Sequence, residues 1–356
     1  MELCEMPFVL ELNRISYLMK GGNLLKEFFG YSDPDCRYSQ VWLASTVRSA
    51  LNGGREGLSV LRKDYGGDYL KTVLERKPEE FLGKEHVNKY GASPAVLVKL
   101  LNSKTRLLVQ THPTKEKAKA YFDLPFGKTE CWYVLDTVKN RTAYIYAGFR
   151  PGVTRECFRS YIEMQETEKI LNCLHQFTVA PGDVVYIPAG TPHALGADSL
   201  VAEIQEPVDL TLRAERIRPD GSVLPEESLH GGLGMAVLLD CFDFTCLERE
   251  QAGKRYFVKP QTLAQTGGTR AVCLIGPSTT KCFSMNRVTL SGGGEYSAQN
   301  HHFVIVFAAA GRGELMVGGQ SLKIEKGMEI FIPYGVREYR YRAENSLEVL
   351  ECFPPE

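Results

Sequence analysis

The sequence predicts a mainly β protein composed of two β-barrels. Short apolar runs alternate with turns along most of the chain, and 33 glycines and 18 prolines supply residues for those turns. Residues 255–354 consist almost entirely of such runs. Many short strands joined by Gly and Pro turns are typical of barrels and sandwiches. A length of 356 residues is sufficient for two domains.

An internal repeat indicates that the two barrels are similar. A glycine, an apolar run, a Pro-x-Gly turn and a polar residue recur with the same spacing. The copies are Gly182, Pro188, Gly190 and His193, and then Gly327, Pro333, Gly335 and Glu338. We expect the last residue of each copy to point into its barrel. We therefore predict an N-terminal domain over residues 1–250 and a C-terminal domain over residues 251–356.

Residues 55–105 interrupt the β pattern. Apolar residues recur there at helical spacing, as in Leu70, Val73 and Leu74 and again from residue 96 to residue 101. This spacing predicts a helical segment packed on a sheet. A further helix is predicted over residues 154–170.

Composition argues against two classes of partner. The formal net charge is −1, so no basic surface for nucleic acid is expected. The sequence contains no apolar stretch of roughly 20 residues that could span a membrane. Its acidic start lacks the layout of a signal peptide. Ten scattered cysteines without a C-x-x-C pair are typical of a reduced, cytoplasmic protein.

Four polar residues beside apolar runs are candidate metal ligands: Gln110, His112, Glu130 and His193. Two imidazoles, a carboxylate and an amide oxygen suit a borderline divalent ion such as zinc, with one position left for water or substrate. We expect them to converge from three neighbouring strands inside the first barrel. The second copy of the repeat has no preceding Gln-x-His, so only the first barrel is expected to hold metal.

Ordinary burial is the alternative explanation for these four residues. A single interior histidine is more often hydrogen-bonded than metal-bound. Burying a carboxylate, an amide and two imidazoles together in an apolar barrel is costly unless something binds them. The combination therefore favours the metal site.

The segments that carry these residues resemble the cupin-type, or type I, phosphomannose isomerases. The matching segments are 110–113, 127–133 and 188–195, with further likeness over 97–101, 203–205 and 209–213. The resemblance implies two cupin (jelly-roll) barrels, the first metal-binding and the second degenerate. It also implies one zinc ion per chain, held by the four candidate ligands, and interconversion of mannose 6-phosphate and fructose 6-phosphate.

Such an isomerase moves a proton between C2 and C1 through a cis-enediol, whose developing negative charge a metal or a fixed cation stabilises. Lys128 and Arg213 match functional residues of the family. Lys128, two residues before Glu130, is expected to transfer the proton or to act as an electrostatic clamp. Arg213 is expected at the barrel mouth, paired with phosphate or with the enediolate. Glu203 and Asp209 are expected to support the ligands through hydrogen bonds.

The chain departs from the family pattern at the expected rim of the pocket. The family's tryptophan-led opening is replaced by residues 17–22, which begin with Tyr17, and Leu212 stands where a tyrosine commonly precedes the arginine. These departures concern substrate identity, so a cupin enzyme for another sugar phosphate, an iron oxygenase and a non-catalytic sugar-binding protein remain alternatives. The expected partner is a small sugar phosphate, with the chain acting as a monomer or homodimer.

Overall fold

The computed structural model describes residues 2–50 and 54–356. Strands dominate these residues and form three sheets, which confirms the mainly β prediction. Within the described ranges, no helix combines the length and the apolar character needed to cross a membrane.

The N-terminal elements extend to residue 101. They are β1 (Phe8–Val9), β2 (Arg14–Ser16), α1 (Asn23–Phe29), β3 (Tyr38–Leu43), α2 (Leu70–Arg76), α3 (Pro78–Leu82), α4 (Lys84–Tyr90) and β4 (Leu97–Leu101). The helical prediction is confirmed for residues 70–90 but is wrong for residues 97–101. All five residues of β4 are buried, so the apolar run has no polar side to reveal its period. Pairing with β3 and a later strand makes it a central strand.

The middle of the chain alternates short strands with helices. Its elements are β5 (Gln110–Thr111), α5 (Lys115–Phe122), β6 (Glu130–Thr137), β7 (Tyr144–Phe149), α6 (Arg155–Glu163), α7 (Thr167–Asn172), β8 (Leu174–Thr178), β9 (Val184–Ile187), β10 (His193–Leu195), β11 (Ser199–Gln205), β12 (Leu212–Arg213), α8 (Glu227–His230), α9 (Met235–Cys241) and α10 (Arg249–Tyr256). The helix predicted over 154–170 is divided into α6 and α7. Thr154 caps α6, because its side chain accepts a hydrogen bond from the Cys157 N–H.

The C-terminal part is almost entirely strand, as predicted. Its elements are β13 (Gln261–Thr266), β14 (Thr269–Ile275), β15 (Ser284–Ser291), β16 (Glu295–Gln299), β17 (Val304–Val317), β18 (Gln320–Glu325), β19 (Glu329–Ile332) and β20 (Glu338–Phe353).

Two antiparallel sheets make up the first module. One has the strand order β12-β5-β10-β7-β8, and the other has the order β2-β3-β4-β11-β6-β9. Apolar side chains from both sheets, including Trp132, Ile145 and Leu195, pack in one cluster between them. Helices cover the outer face of the five-stranded sheet, where Phe158 of α6 packs against Phe149 of β7.

Strand alternation in the six-stranded sheet determines which residues reach the interior of the first module. In β6, Cys131 and Tyr133 face the second module, whereas Trp132 faces the five-stranded sheet. Because side chains alternate between the two faces of a strand, Glu130 shares the inner face with Trp132. The same rule places Glu203 of β11 on that face, since its neighbours Ala202 and Ile204 pack toward the second module.

A nine-stranded sheet forms the second module, with the order β1-β19-β17-β20-β15-β14-β13, to which β16 adds at β20 and β18 at β17. The N-terminal strand β1 belongs to this sheet, because Phe8 and Val9 pair with Phe331 and Ile330. The N-terminal residues thus lie across the boundary predicted at residue 250. The two-domain division stays a prediction, with this segment packed against the C-terminal sheet.

Both copies of the sequence repeat adopt the same local structure. Gly182 and Gly327 have φ values of 99° and 89°, in the left-handed region that favours glycine, and each precedes a buried strand, β9 or β19. The residues that end the copies differ in burial. His193 is buried, whereas Glu338 is exposed. The expectation that Glu338 points inward is therefore wrong.

Candidate metal centre and substrate cleft

Three of the four predicted ligands form one tight cluster inside the first module. His112, Glu130 and His193 each offer a ligand atom, and these atoms all lie within 4.8 Å of one another. The Glu130 carboxylate is at the centre, with Oε2 at 3.3 Å from His112 Nε2 and Oε1 at 3.1 Å from His193 Nε2. All three side chains are buried. The cluster is therefore a candidate metal centre.

The fourth predicted ligand lies beside the cluster. The amide Nε2 of Gln110 is 3.2 Å from His193 Nε2. Gln110 and His193 are paired residues of the adjacent strands β5 and β10, so the backbone itself brings them together. The amide therefore stands where its oxygen could complete a four-ligand set.

The cluster joins two sheets, which differs from the predicted arrangement on three neighbouring strands. Gln110 and His193 lie in the five-stranded sheet, and His112 directly follows β5. Glu130 lies in the opposite, six-stranded sheet. The centre consequently crosses the interior of the first module and does not lie along one wall.

Backbone carbonyls fix the orientation of both imidazoles. His112 Nδ1 is 3.0 Å from the Leu210 carbonyl, and His193 Nδ1 is 2.8 Å from the Thr191 carbonyl. A carbonyl accepts only, so each Nδ1 carries the proton and each Nε2 presents its lone pair to the cluster. Metal-binding histidines commonly make this arrangement. An edge-to-face contact with the Trp132 ring also holds His193.

The donor set fits a divalent ion. Both carboxylate oxygens of Glu130 are buried and lack a hydrogen-bond partner. A buried carboxylate whose oxygens accept no hydrogen bond is costly, and a bound cation would offset that cost. Two imidazole nitrogens, a carboxylate and an amide oxygen form a mixed N/O set of the kind that binds zinc.

Charge in the cluster is set by burial and by one lysine. Burial, together with the nearby Lys128 ammonium, lowers the pKa of His112 to about 3, so this imidazole is neutral. Burial alone would raise the pKa of Glu130, but the nearby positive charge, above all the Lys128 ammonium, holds that pKa well below its ordinary value. The carboxylate is therefore ionised, as a metal ligand must be.

Lys128 lies within the candidate metal centre. Its Nζ is 3.1 Å from His112 Nε2 and 3.5 Å from Glu130 Oε2. The predicted proximity of Lys128 to the ligands is thus present, although the lysine precedes β6 and does not lie in it. Burial lowers the pKa of this ammonium in spite of the adjoining carboxylate.

A cleft leads from the surface to this centre. Its walls include residues from the N-terminal segment, from β4 and from the strands of the cluster: Tyr17, Gln40, Lys99, Gln110, Lys128 and Arg213. Arg213 is a buried residue at the end of β12, where its backbone lies opposite Gln110 of the adjacent strand β5. The cleft thus brings three buried cationic side chains to the neighbourhood of the cluster.

Comparisons with known proteins all find similarity to mannose-6-phosphate isomerases. A sequence model described as the cupin domain of mannose-6-phosphate isomerase matches residues 277–348, in the second module. The mannose-6-phosphate isomerase ManA of Bacillus subtilis is 26% identical over 90% of this chain and 91% of its own length. A mannose-6-phosphate isomerase of Streptococcus mutans is 25% identical over 93% of each chain.

Solved structures share the fold. The crystal structure of the mannose 6-phosphate isomerase from Bacillus subtilis superposes with a TM-score of 0.77 and 24% identity, covering 97% of this chain and 99% of that one. A mannose 6-phosphate isomerase solved in a zinc-bound form has a TM-score of 0.72 and 15% identity, covering 98% and 100%.

The predicted resemblance to the type I phosphomannose isomerases is confirmed. The cupin fold class that this resemblance implied is confirmed as well, including for the second module, which the family's cupin-domain model matches.

The sequence analysis did not identify Lys99 as a residue of the site. Lys99 is buried on β4, where its Nζ lies 3.6 Å from Glu203 Oε1 and 3.6 Å from Asp209 Oδ1. The incorrect helical interpretation of residues 97–101 concealed its orientation. The available signal was a single lysine between apolar neighbours, which is rare in a buried strand unless the lysine is paired.

Glu203 and Asp209 were expected to hydrogen-bond the ligands, but their contacts are with residues around the ligands. Glu203 Oε2 accepts a hydrogen bond from Trp132 Nε1 at 2.9 Å, and Trp132 in turn contacts His193. Asp209 Oδ2 accepts one from the Ala50 N–H at 2.9 Å. These carboxylates hold Lys99 and the walls of the cleft in place.

Proposed function

We propose that the protein is a zinc-dependent aldose–ketose isomerase that interconverts mannose 6-phosphate and fructose 6-phosphate. The observation that carries the proposal is the buried His112–Glu130–His193 cluster at the end of a cleft lined by cationic side chains. Such a site combines ligands for a Lewis acid with positive charge for an anionic sugar.

The relatives support this choice of reaction. The mannose-6-phosphate isomerases of Bacillus subtilis and Streptococcus mutans described above align over 90% and 93% of this chain. A zinc-bound isomerase has the same fold. These names motivate the substrate, while the chemistry of the cleft supplies the independent argument.

Zinc would be held by His112, Glu130 and His193, with the Gln110 amide oxygen as fourth ligand. A divalent ion at this place would stabilise negative charge on the substrate oxygens next to the carbon acid. The protein's own part is to present two imidazole nitrogens and one carboxylate in a buried site. The Leu210 and Thr191 carbonyls keep both Nε2 atoms free for this purpose.

Two cationic residues would act on the sugar phosphate. Lys128 adjoins the ligands, so it is placed to transfer the proton between C2 and C1 through the cis-enediol or to clamp the developing charge. Arg213 lies in the wall of the same cleft and can pair with the phosphate or with the enediolate oxygen. Both cationic side chains are buried, which strengthens both interactions.

The decisive experiment is a coupled isomerase assay with mannose 6-phosphate and with fructose 6-phosphate, run on metal-free and on zinc-loaded protein. We expect turnover in both directions that is lost with a chelator and restored by zinc. Glucose 6-phosphate and other hexose phosphates in parallel determine the substrate. Absence of turnover with either expected substrate contradicts the proposal.

Metal analysis of the purified protein separates the alternatives. An oxygenase would contain iron and consume oxygen. A non-catalytic sugar-binding protein would bind hexose phosphates without converting any of them. We further propose a cytoplasmic enzyme that acts as a monomer or homodimer, which light scattering on the zinc-loaded protein distinguishes.

A further inference from the structure

Tyr17 occupies a central position in the cleft wall. It directly follows β2, and its ring packs against the cluster formed by Ile15, Trp42 and Leu97. The same residue lines the cleft that leads to the candidate metal centre. The ring is thus fixed by apolar contacts, while the hydroxyl reaches the polar side of the cleft.

The Tyr17 hydroxyl joins an anionic and a cationic side chain. It donates a hydrogen bond to Asp209 Oδ1 at 3.3 Å. It also interacts through hydrogen bonds with Arg213 and with the Thr211 side chain. A phenol has one proton to donate and two lone pairs to accept with. The hydroxyl thus donates to the Asp209 carboxylate, and its lone pairs are left to interact with the neighbouring guanidinium.

Asp209 is saturated with donors. Oδ1 receives the Tyr17 hydroxyl and lies 3.6 Å from Lys99 Nζ. Oδ2 receives the Ala50 N–H. The negative charge of Asp209 is therefore stabilised by Lys99 on β4, which it shares with Glu203, and Asp209 forms no ion pair with Arg213 within 4.0 Å.

Arg213 is held almost entirely by neutral acceptors. Its Nη1 donates to the carbonyls of Thr211 and Ser228, at 3.1 and 3.2 Å. In the described part of the chain, Arg213 forms no ion pair within 4.0 Å. Its buried guanidinium thus has no carboxylate in direct contact, although Asp209 attracts it from a greater distance. Such a charge is costly in the empty site and is valuable when an anion binds.

We propose that Tyr17 is a positioning residue for the isomerase reaction: its neutral hydroxyl separates Arg213 from Asp209 and so keeps the arginine charge available to the anionic sugar phosphate. Without the hydroxyl, Asp209 loses a donor and Arg213 loses an acceptor. The oppositely charged side chains of Asp209 and Arg213 would then move into contact in this buried site and neutralise each other. This inference rests on the proposed function, because it assigns Tyr17 a role in that same site.

The test is a double-mutant cycle with zinc-loaded protein: the parent, Y17F, D209N and Y17F/D209N. The readouts are kcat, KM and, by calorimetry, the dissociation constant of glucitol 6-phosphate, a hexose phosphate that lacks the carbonyl needed for isomerisation. Tyr→Phe keeps the packed ring and removes only the hydroxyl. Tyr31→Phe is the matched control, because the Tyr31 hydroxyl is buried without a hydrogen-bond partner.

We expect Y17F to weaken glucitol 6-phosphate binding and to lower kcat/KM, each by about tenfold. We expect Y31F to behave like the parent, and the thermal unfolding midpoint of Y17F to stay near that of the parent. In the D209N background the Tyr17→Phe change should have less than about a twofold effect, because no carboxylate remains to capture the arginine.

A purely structural role of Tyr17 would give the same loss with and without Asp209, and that result overturns the inference. An active parent with an unchanged Y17F variant also overturns it while leaving the proposed function intact. A parent without isomerase activity contradicts the proposed function itself, and the positioning role of Tyr17 then falls with it.

Discussion

Glu329, on β19 of the second module, accepts a hydrogen bond from the backbone N–H of Ala44, which follows β3 of the first module. The contact is buried, and the second carboxyl oxygen of Glu329 has no partner. Ala44 has a φ of 45°, in a region that non-glycine residues rarely adopt, so this hydrogen bond stabilises an otherwise unfavourable turn. One carboxyl group thereby links the end of a cleft-forming strand to the C-terminal sheet.

This buried carboxyl predicts a loss of stability as the pH rises from about 4.5 to about 8. Burial raises the pKa of Glu329 from 4.5 to about 8. A raised pKa means that the folded state retains a proton which the unfolded state releases. The contribution is therefore complete below pH 4.5 and decreases as the pH rises toward 8, by about 1.4 kcal/mol per pH unit. Denaturant unfolding of the parent and of Glu329→Gln between pH 5 and pH 9 measures the difference.

The glutamine variant keeps an oxygen for the Ala44 N–H but cannot ionise. We expect its stability relative to the parent to increase from pH 5 to about pH 8 and to level off above that pH. Glu325→Gln is the control, because Glu325 is an exposed glutamate of the neighbouring strand β18. A parent and a Glu329→Gln variant with parallel pH profiles would contradict the prediction.

Substitution of Glu130 should empty the metal centre. Glu130→Gln keeps the size of the side chain but removes the negative charge that lies between the two imidazoles. We expect zinc content, measured by mass spectrometry after dialysis, to fall from about one ion per chain by tenfold or more, because loss of a charged ligand costs at least as much as loss of its supporting contacts.

The internal repeat offers a matched control for this experiment. Glu338 ends the second copy as His193 ends the first, but it is an exposed residue. Glu338→Gln should leave the zinc content unchanged. A decrease in that variant would show that the second module also binds metal and would contradict the prediction that only the first does.

The residues of the metal centre were predictable because each stands out in its local sequence. A polar residue within or beside an apolar run must be paired when it is buried, and four of them with the ligand types of zinc pointed to one site. The repeat similarly predicted two related modules, because Gly182 and Gly327 both require a positive φ before a buried strand.

The residues that sequence reasoning missed depend on long-range pairing. Residues 97–101 form a strand only because β3 and β11 pair with them on both sides, and a fully buried strand has no polar face to mark its period. The position of Glu130 opposite the other ligands likewise follows from the packing of two sheets, which local sequence does not encode. The pairing of the N-terminal β1 with β19 is likewise a long-range contact that the local sequence does not reveal.

Lys128 should be needed for turnover but not for metal binding. Lys128→Met removes the ammonium and keeps most of the side-chain volume. The ammonium lies 3.1 Å from a ligand nitrogen, so it repels a bound cation, and its removal should leave zinc affinity equal or higher. Loss of a proton-transfer group lowers kcat by about 10²- to 10⁴-fold. We therefore expect a zinc-loaded, inactive variant.

Zinc content and kcat measured on the same preparation test this separation. Lys119→Met is the control, because Lys119 is exposed and pairs with Asp123 on the surface of α5. Full activity of the Lys128→Met variant would exclude Lys128 from catalysis. Simultaneous loss of zinc would instead give it a role in holding the ligands.

Arg213 should contribute to catalysis through its charge and its geometry separately. The guanidinium donates to two carbonyls and to Tyr17, a set of contacts that a lysine cannot reproduce. Because hydrogen bonds to charged groups contribute about 1.5–3 kcal/mol, Arg213→Ala should lower kcat/KM by about 10- to 150-fold. The kcat/KM of Arg213→Lys should lie between that of Arg213→Ala and that of the parent, because lysine keeps the positive charge but not the orientation of the guanidinium.

Steady-state kinetics on zinc-loaded protein, with zinc content measured in parallel, distinguish loss of substrate interaction from loss of metal. Arg213 does not contact the His112–Glu130–His193 atoms directly, so both variants should keep their zinc. Arg141→Ala is the control, because the Arg141 side chain is 66% exposed and pairs with Asp198 at the surface. If the kcat/KM of Arg213→Lys equals that of Arg213→Ala, the orientation of the guanidinium alone determines its contribution. If the kcat/KM of Arg213→Lys equals that of the parent, the positive charge alone suffices, and the hydrogen bonds that orient the guanidinium have no kinetic role.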